Sequence, residues 1–112
     1  MIASDIVRLV HEALDTYRPP LTGAETVGTP WSLNRIQEEL RLLREALVLP
    51  SLRTLRVNQQ PDEAAWLVAV SDNDVVFYSE SRAEYGLGKL EADGAVTDWG
   101  IYGDLAGTFM AR

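Results

Sequence analysis

The sequence predicts an α+β domain in which two N-terminal helices pack on an antiparallel meander of about five strands. Three observations predict it. Apolar residues recur at helical spacing up to about residue 49 and alternate from about residue 51 onward. Turn-forming clusters then interrupt the chain at Asn58–Asp62, Ser71–Asp74 and Asp93-Gly94. The chain has 112 residues, 46% of them hydrophobic, which suits a single domain spanning 1–112.

The first helix is expected over about 4–18. Ile6, Leu9, Val10, Ala13, Leu14 and Tyr17 form one apolar stripe, with Ser4 as N-cap and Asp5 at the positive end of the dipole. Pro19-Pro20 stops it, because a proline disfavours helical backbone at the residue before it and neither proline donates a hydrogen bond. Residues 19–29 read as a loop. Thr29-Pro30 then supplies an N-cap followed by proline at the first helical position. The second helix is expected over about 30–49, with Leu33, Ile36, Leu40, Leu43 and Leu47 on its apolar face and Pro50 closing it. Two heptads are too few for a coiled coil, so this face is read as core-facing. Arg35–Glu39 and Arg41–Glu45 are i,i+4 pairs on the polar side.

The sheet is expected over about 51–103. Leu52–Val57 is the first strand. Ala65–Val70 is apolar on both faces, which marks a strand in the middle of the sheet. Val75–Ser79 returns across the Ser71–Asp74 turn as a hairpin. Tyr85, Leu87 and Lys89 alternate with Gly86 and Gly88, and Val96–Tyr102 is the last strand. Beyond it Asp104 caps a short helix carrying Leu105, Phe109 and Met110, or the segment forms a sixth strand; the pattern leaves both open.

Composition excludes several functions. With no cysteine there is no disulfide, thiolate metal site or cysteine nucleophile, and a single histidine, His11, cannot build a two-imidazole metal site. The net charge is −7. Residues 1–61 balance seven acids with seven bases, whereas residues 62–112 hold ten acids against Arg82, Lys89 and Arg112. Nucleic acid and anionic membrane surfaces are therefore poor partners. The opening Met1-Ile2-Ala3-Ser4-Asp5 has no signal character, and the longest apolar run, Ala64–Val70, is too short to span a bilayer. A cytoplasmic location is expected, and nine arginines to one lysine point to a GC-rich bacterial genome.

No motif for catalysis or cofactor binding stands out. Asp72-Asn73-Asp74 opens like a calcium loop, but its sixth and twelfth positions are Phe77 and Arg82, so a hairpin turn is the reading. Gly86-x-Gly88 lacks the third glycine and the following helix of a phosphate loop, and glycines in such a strand mark a bulge or a close backbone approach. Glu80 with Glu84, or Asp98 with Asp104, are carboxylate pairs of the kind that share acid and base roles. No partnering histidine or Gly-x-Ser-x-Gly elbow accompanies them. His11 sits on the flank of its helix and reads as structural or merely solvated. No catalytic residue, metal or cofactor is expected.

The aromatic residues Trp66, Phe77, Tyr78, Tyr85, Trp99, Tyr102 and Phe109 all lie in the acidic half. Phe77 and Tyr78 are neighbours in a strand and point to opposite faces, so with helices on one face at least one aromatic is expected outside. An exposed aromatic among carboxylates has the composition of an interface for a basic protein. On the opposing reading, Trp66, Phe77 and Trp99 are core and the acids are ordinary solvation.

Ala65-Trp66-Leu67-Val68-Ala69-Val70, Asp74-Val75-Val76-Phe77-Tyr78-Ser79, Glu84-Tyr85-Gly86-Leu87-Gly88 and Trp99-Gly100-Ile101-Tyr102-Gly103-Asp104 resemble the strands of small bacterial immunity proteins encoded beside polymorphic toxins. The resemblance covers residues 64–112. It implies a cytoplasmic protein that blocks a toxin enzyme by occluding a basic active-site or substrate cleft with acidic side chains. The expected partner-binding set is Asp72, Asp74, Tyr78, Glu80, Glu84, Tyr85, Asp98, Tyr102 and Asp104, and the expected partner is a basic toxin domain. Two other readings are a small α+β enzyme or ligand-binding domain with a pocket between helices and sheet, and a homodimer through an exposed sheet face. A pocket lined by two or more buried carboxylates would mark the enzyme; continuous exposed acid would mark the inhibitor.

Overall fold

A computed structural model describes residues 1–18 and 32–112. The order is α1 (Ala3–Thr16), α2 (Leu33–Ala46), β1 (Leu47–Arg56), β2 (Glu63–Ser71), β3 (Asp74–Ser79), β4 (Glu84–Leu90), β5 (Val96–Gly103) and α3 (Leu105–Met110). The expected α+β architecture is present, with one addition. The antiparallel meander closes on itself, because β1 pairs in parallel with β5 at Leu55–Val96 and Arg56–Thr97, making a five-stranded barrel.

The helices form where their apolar stripes dictate, but their ends differ from expectation. In α1, Ile6, Val10 and Leu14 are buried at four-residue spacing. Its N-cap is Ile2, not Ser4, and the Asp5 carboxylate accepts the Ile2 N–H at 2.8 Å. Three residues into the helix, Asp5 reaches back to an orphan donor that a serine inside the first turn cannot serve. The helix ends at Thr16 with Tyr17 extended. Pro19, Pro20 and the Thr29-Pro30 cap lie outside the described residues. Ser32 is the N-cap of α2, and its hydroxyl accepts the Arg35 N–H at 3.2 Å. The helix stops at Ala46, and Pro50 lies inside β1 instead of closing a helix. Pro50 is tolerated there because Val48–Pro50 bulge away from β2, whose register jumps between Leu47 and Ser51. Leu33, placed on the buried stripe by spacing alone, is 60% exposed.

Barrel closure splits the core in two. Phe77, Leu67, Leu55, Ala65, Val75 and Val96 fill the interior. Trp66, Val68, Val76, Tyr78, Tyr85 and Leu87 face outwards and are covered by Ile6, Val10 and Leu14 of α1, Leu43 of α2, and Leu105 and Phe109 of α3. β2 is therefore apolar on both faces, as expected. Phe77 and Tyr78 do point to opposite faces, but both faces are closed, so neither ring is outside.

Gly86 and Gly88 make the interior possible. A Cβ on Gly86 would stand 2.3 Å from Cζ of Phe77, and one on Gly88 would meet the Thr97 carbonyl oxygen at 2.5 Å. Both are close approaches and neither is a phosphate loop. The strands bend at three irregularities, in β1, at Val68 of β2, and in β5, where Trp99 and Gly100 are extra between the Gly88–Asp98 and Leu87–Ile101 pairs. Asp72 takes left-handed backbone (φ 55°) in the tight turn between the paired Ser71 and Asp74. After β5 the chain forms α3, with Asp104 as the N-cap residue, and not a sixth strand.

Candidate functional site

The nine expected partner-binding residues do not converge on one face. β3 runs about 17 Å between its ends. Asp72 and Asp74 lie at the β2–β3 end, with Asp74 opposite Lys89 of β4. Glu80 and Glu84 lie at the β3–β4 end. There β2 begins at Glu63, β3 ends before Glu80, β4 begins at Glu84, and β5 ends before Asp104. The ladder Trp66–Tyr78, Ser79–Glu84 and Tyr85–Gly103 brings these four carboxylates to the ends of consecutive strands. All four residues are exposed. Glu80 has the Met1 amine at 3.2 Å; Glu63, Glu84 and Asp104 have no ion pair among the described residues. The other acids with ion pairs sit elsewhere, as in Glu38–Arg41–Glu45, Glu39–Arg112 and Asp93–Arg56.

The aromatic members of the expected set require correction. Tyr78 and Tyr85 are only 7% and 8% exposed, because α3 packs on β3 and β4 and α1 joins it over the same outer cluster. Their rings meet edge to face with centroids 5.1 Å apart. Burial, aided by Tyr78 and the Glu12 carboxylate, pushes the Tyr85 phenol up to about 12. Among the described residues the exposed aromatic is Trp99, at 45%, which the core reading had placed inside. It sits on the β5 irregularity, where Gly100 has φ +78° and donates its N–H to Oδ1 of Asp98 at 2.7 Å.

Asp98 and Tyr102 are tied to each other. The Tyr102 hydroxyl donates to Oδ2 of Asp98, and the Arg82 guanidinium lies 4.1 Å above the Tyr102 ring, which makes an edge-to-face pair with Phe77 at a centroid separation of 5.8 Å. Burial and the Asp98 carboxylate hold the Tyr102 phenol well above its usual range. Asp98 is thus occupied by Gly100 and Tyr102, and it is Tyr102, with Arg82 over its ring and the Glu63 charge nearby, that links the pair to the acidic end.

Three surface grooves can be compared. One of about 320 Å³ is lined by Val7, Val10, His11 and Leu47–Pro50 and has no carboxylate. A second, about 260 Å³, lies between Leu52–Arg56 and Asp93–Ala95, with Asp93 bonded to Arg56. The third, about 240 Å³, has Glu12 on its rim and Tyr78 and Tyr85 on its floor. None of the three is lined by two carboxylates, and among the described residues no three His, Asp or Glu side chains are placed to hold a metal ion. No described helix is long and apolar enough to cross a membrane.

Sequence reasoning missed Glu12 and Glu63. Glu12 is on the charge-balanced half, and only the tertiary placement of α1 brings it across a groove from Tyr78, Ala83 and Tyr85. Glu63 was visible as an acid beside a turn; its position one strand from Glu80 follows from the β2–β3 register. Comparison with protein-family models, curated proteins and solved structures finds no match to this chain.

Proposed function

We propose that this chain is an acidic protein-binding domain of the immunity type, which neutralises a basic toxin enzyme in the bacterial cytoplasm by covering its active-site or substrate cleft. One observation carries the reading: Glu63, Glu80, Glu84 and Asp104 stand exposed at the ends of four consecutive strands on one end of the barrel, three of them without an ion pair among the described residues. A catalytic cleft for an anionic substrate is lined with cations, and such a carboxylate row is its electrostatic complement. The barrel holds the row in place before binding, so little ordering entropy is lost on association. Asp72 and Asp74, at the opposite end, lie outside this contact surface.

Co-expression tests the reading. The adjacent gene is expected to encode a secreted protein whose C-terminal domain is basic and toxic. That domain should arrest growth alone and be tolerated with this chain, and Glu63→Gln, Glu84→Gln and Asp104→Asn together should remove protection while the fold persists. Failure of the parent chain to protect would overturn the reading. Self-association is a second property with its own observation: Leu49 and Leu52 on β1 are 87% and 57% exposed. Light scattering of the pure chain reads it directly.

A further inference from the structure

The groove between α1 and the β3–β4 hairpin is built for one kind of side chain. Its volume, about 240 Å³, falls below the roughly 300–1,000 Å³ of small-molecule sites and suits a single protruding residue. Its floor is Tyr78 and Tyr85, each more than nine-tenths buried. Yet among the described residues neither hydroxyl has a hydrogen-bond partner, and both residues line the groove. Leu9 and Ala13 form an apolar wall. Glu12 stands on the rim without an ion pair among the described residues, while the Thr16 hydroxyl is committed to the Glu12 carbonyl at 2.7 Å. Ala83 closes the far side from the hairpin turn.

An alkyl stem fits the Leu9 and Ala13 wall, and a cation at its tip meets two aromatic rings, two phenol oxygens and a carboxylate. An acidic side chain would be repelled by Glu12. A purely apolar one would leave both hydroxyls and the carboxylate unpaired. We propose that this groove receives a lysine or arginine side chain from the protein partner. The inference rests on the proposed reading of the chain as a receptor for a basic protein and specifies where one of its cations goes.

A test needs no identified partner. The full chain, labelled with ¹⁵N, is titrated with N-acetyl-lysine methylamide, with the arginine analogue, and with the norleucine analogue, which keeps the stem and lacks the charge. Saturable shifts are expected at Leu9, Glu12, Ala13 and Ala83 for the two cations, with norleucine binding at least about fivefold more weakly. Glu12→Gln and Tyr85→Phe, which preserve shape, should each weaken the lysine probe by about three- to tenfold. Equal binding of lysine and norleucine, shifts confined to other surfaces, or an unchanged affinity in Glu12→Gln would overturn the groove assignment. The two proposals fail separately. Protection from the toxin with no saturable shift in the groove refutes the groove alone; cation binding in the groove without protection supports the groove and refutes the neutralising function.

Discussion

Replacing Gly86 with alanine tests the interior most sharply. The added Cβ would lie 2.3 Å from Cζ and 2.6 Å from Cε2 of Phe77, so the two groups must separate by more than 1 Å to reach ordinary contact. Phe77 is fully buried, and its ring is held edge-on against Tyr102 at 5.8 Å, so it cannot tilt without moving that ring and the Asp98 bond behind it. Overpacking of this kind costs about 1–3 kcal/mol, and the rigid surroundings place Gly86→Ala at about 2–3 kcal/mol. For a domain of this size that lowers Tm by about 8–12 °C. Phe77→Leu alone costs about 1–2 kcal/mol by leaving a void, but it also removes the atoms that the new methyl strikes. Gly86→Ala should therefore cost less than about 1 kcal/mol in the Phe77→Leu background, a coupling of at least about 1 kcal/mol. Urea unfolding of the four proteins measures the cycle. A Gly86→Ala variant as stable as the parent, or a cost independent of residue 77, would refute the claim that Gly86 is there to admit the ring.

Three further outcomes follow from the packing and the charges. Leu40→Asp should unfold the domain because Leu40 packs against the buried cluster, whereas Leu33→Asp should change stability by no more than about 0.5 kcal/mol, as thermal melting will show. Thr108→Val should stabilise by about 0.5–1 kcal/mol in denaturant titration, since the Thr108 hydroxyl is buried without a hydrogen-bond partner. Tyr85 is neutral in the fold up to about pH 12 but ionises near 10 when unfolded, so its contribution is complete below pH 10 and is lost as pH rises toward 12. Stability measured against pH should fall over that interval, and less steeply in Tyr85→Phe.

The legible part of the fold was the part governed by local periodicity. Ile6, Val10 and Leu14 announce α1 through spacing, and the run Ala65–Val70 announces a strand buried on both faces. What periodicity does not contain is closure. The parallel pairing of Leu55 with Val96 joins residues forty-one apart and converts an exposed sheet face into an interior, which is why an outward aromatic was expected at Phe77 or Tyr78 and found at Trp99 instead. Gly86 and Gly88 carried the signal of close approach; the approaching groups, the Phe77 ring at Gly86 and the Thr97 carbonyl at Gly88, are set by register. Helix ends also escaped, because Asp5 and Ser32 are only two of several polar residues able to cap, and geometry chooses between them. Acidic character was legible from charge counting, whereas its division between two ends of the barrel depends on strand direction.

The measurement closest to the central claim is the association rate with the basic toxin domain as a function of ionic strength. Screening shortens from about 30 Å at 0.01 M salt to about 8 Å at 0.15 M, so a rate steered by the carboxylate row should fall steeply over that range while dissociation changes little. Glu63→Gln, Glu84→Gln and Asp104→Asn together should lower the rate at low salt and flatten its salt dependence, whereas Asp72→Asn with Asp74→Asn, and Glu38→Gln with Glu39→Gln, should leave both near the parent values. A salt-independent parent rate, or a loss of binding caused by the Glu38 and Glu39 changes alone, would contradict the account and move the interface to α2.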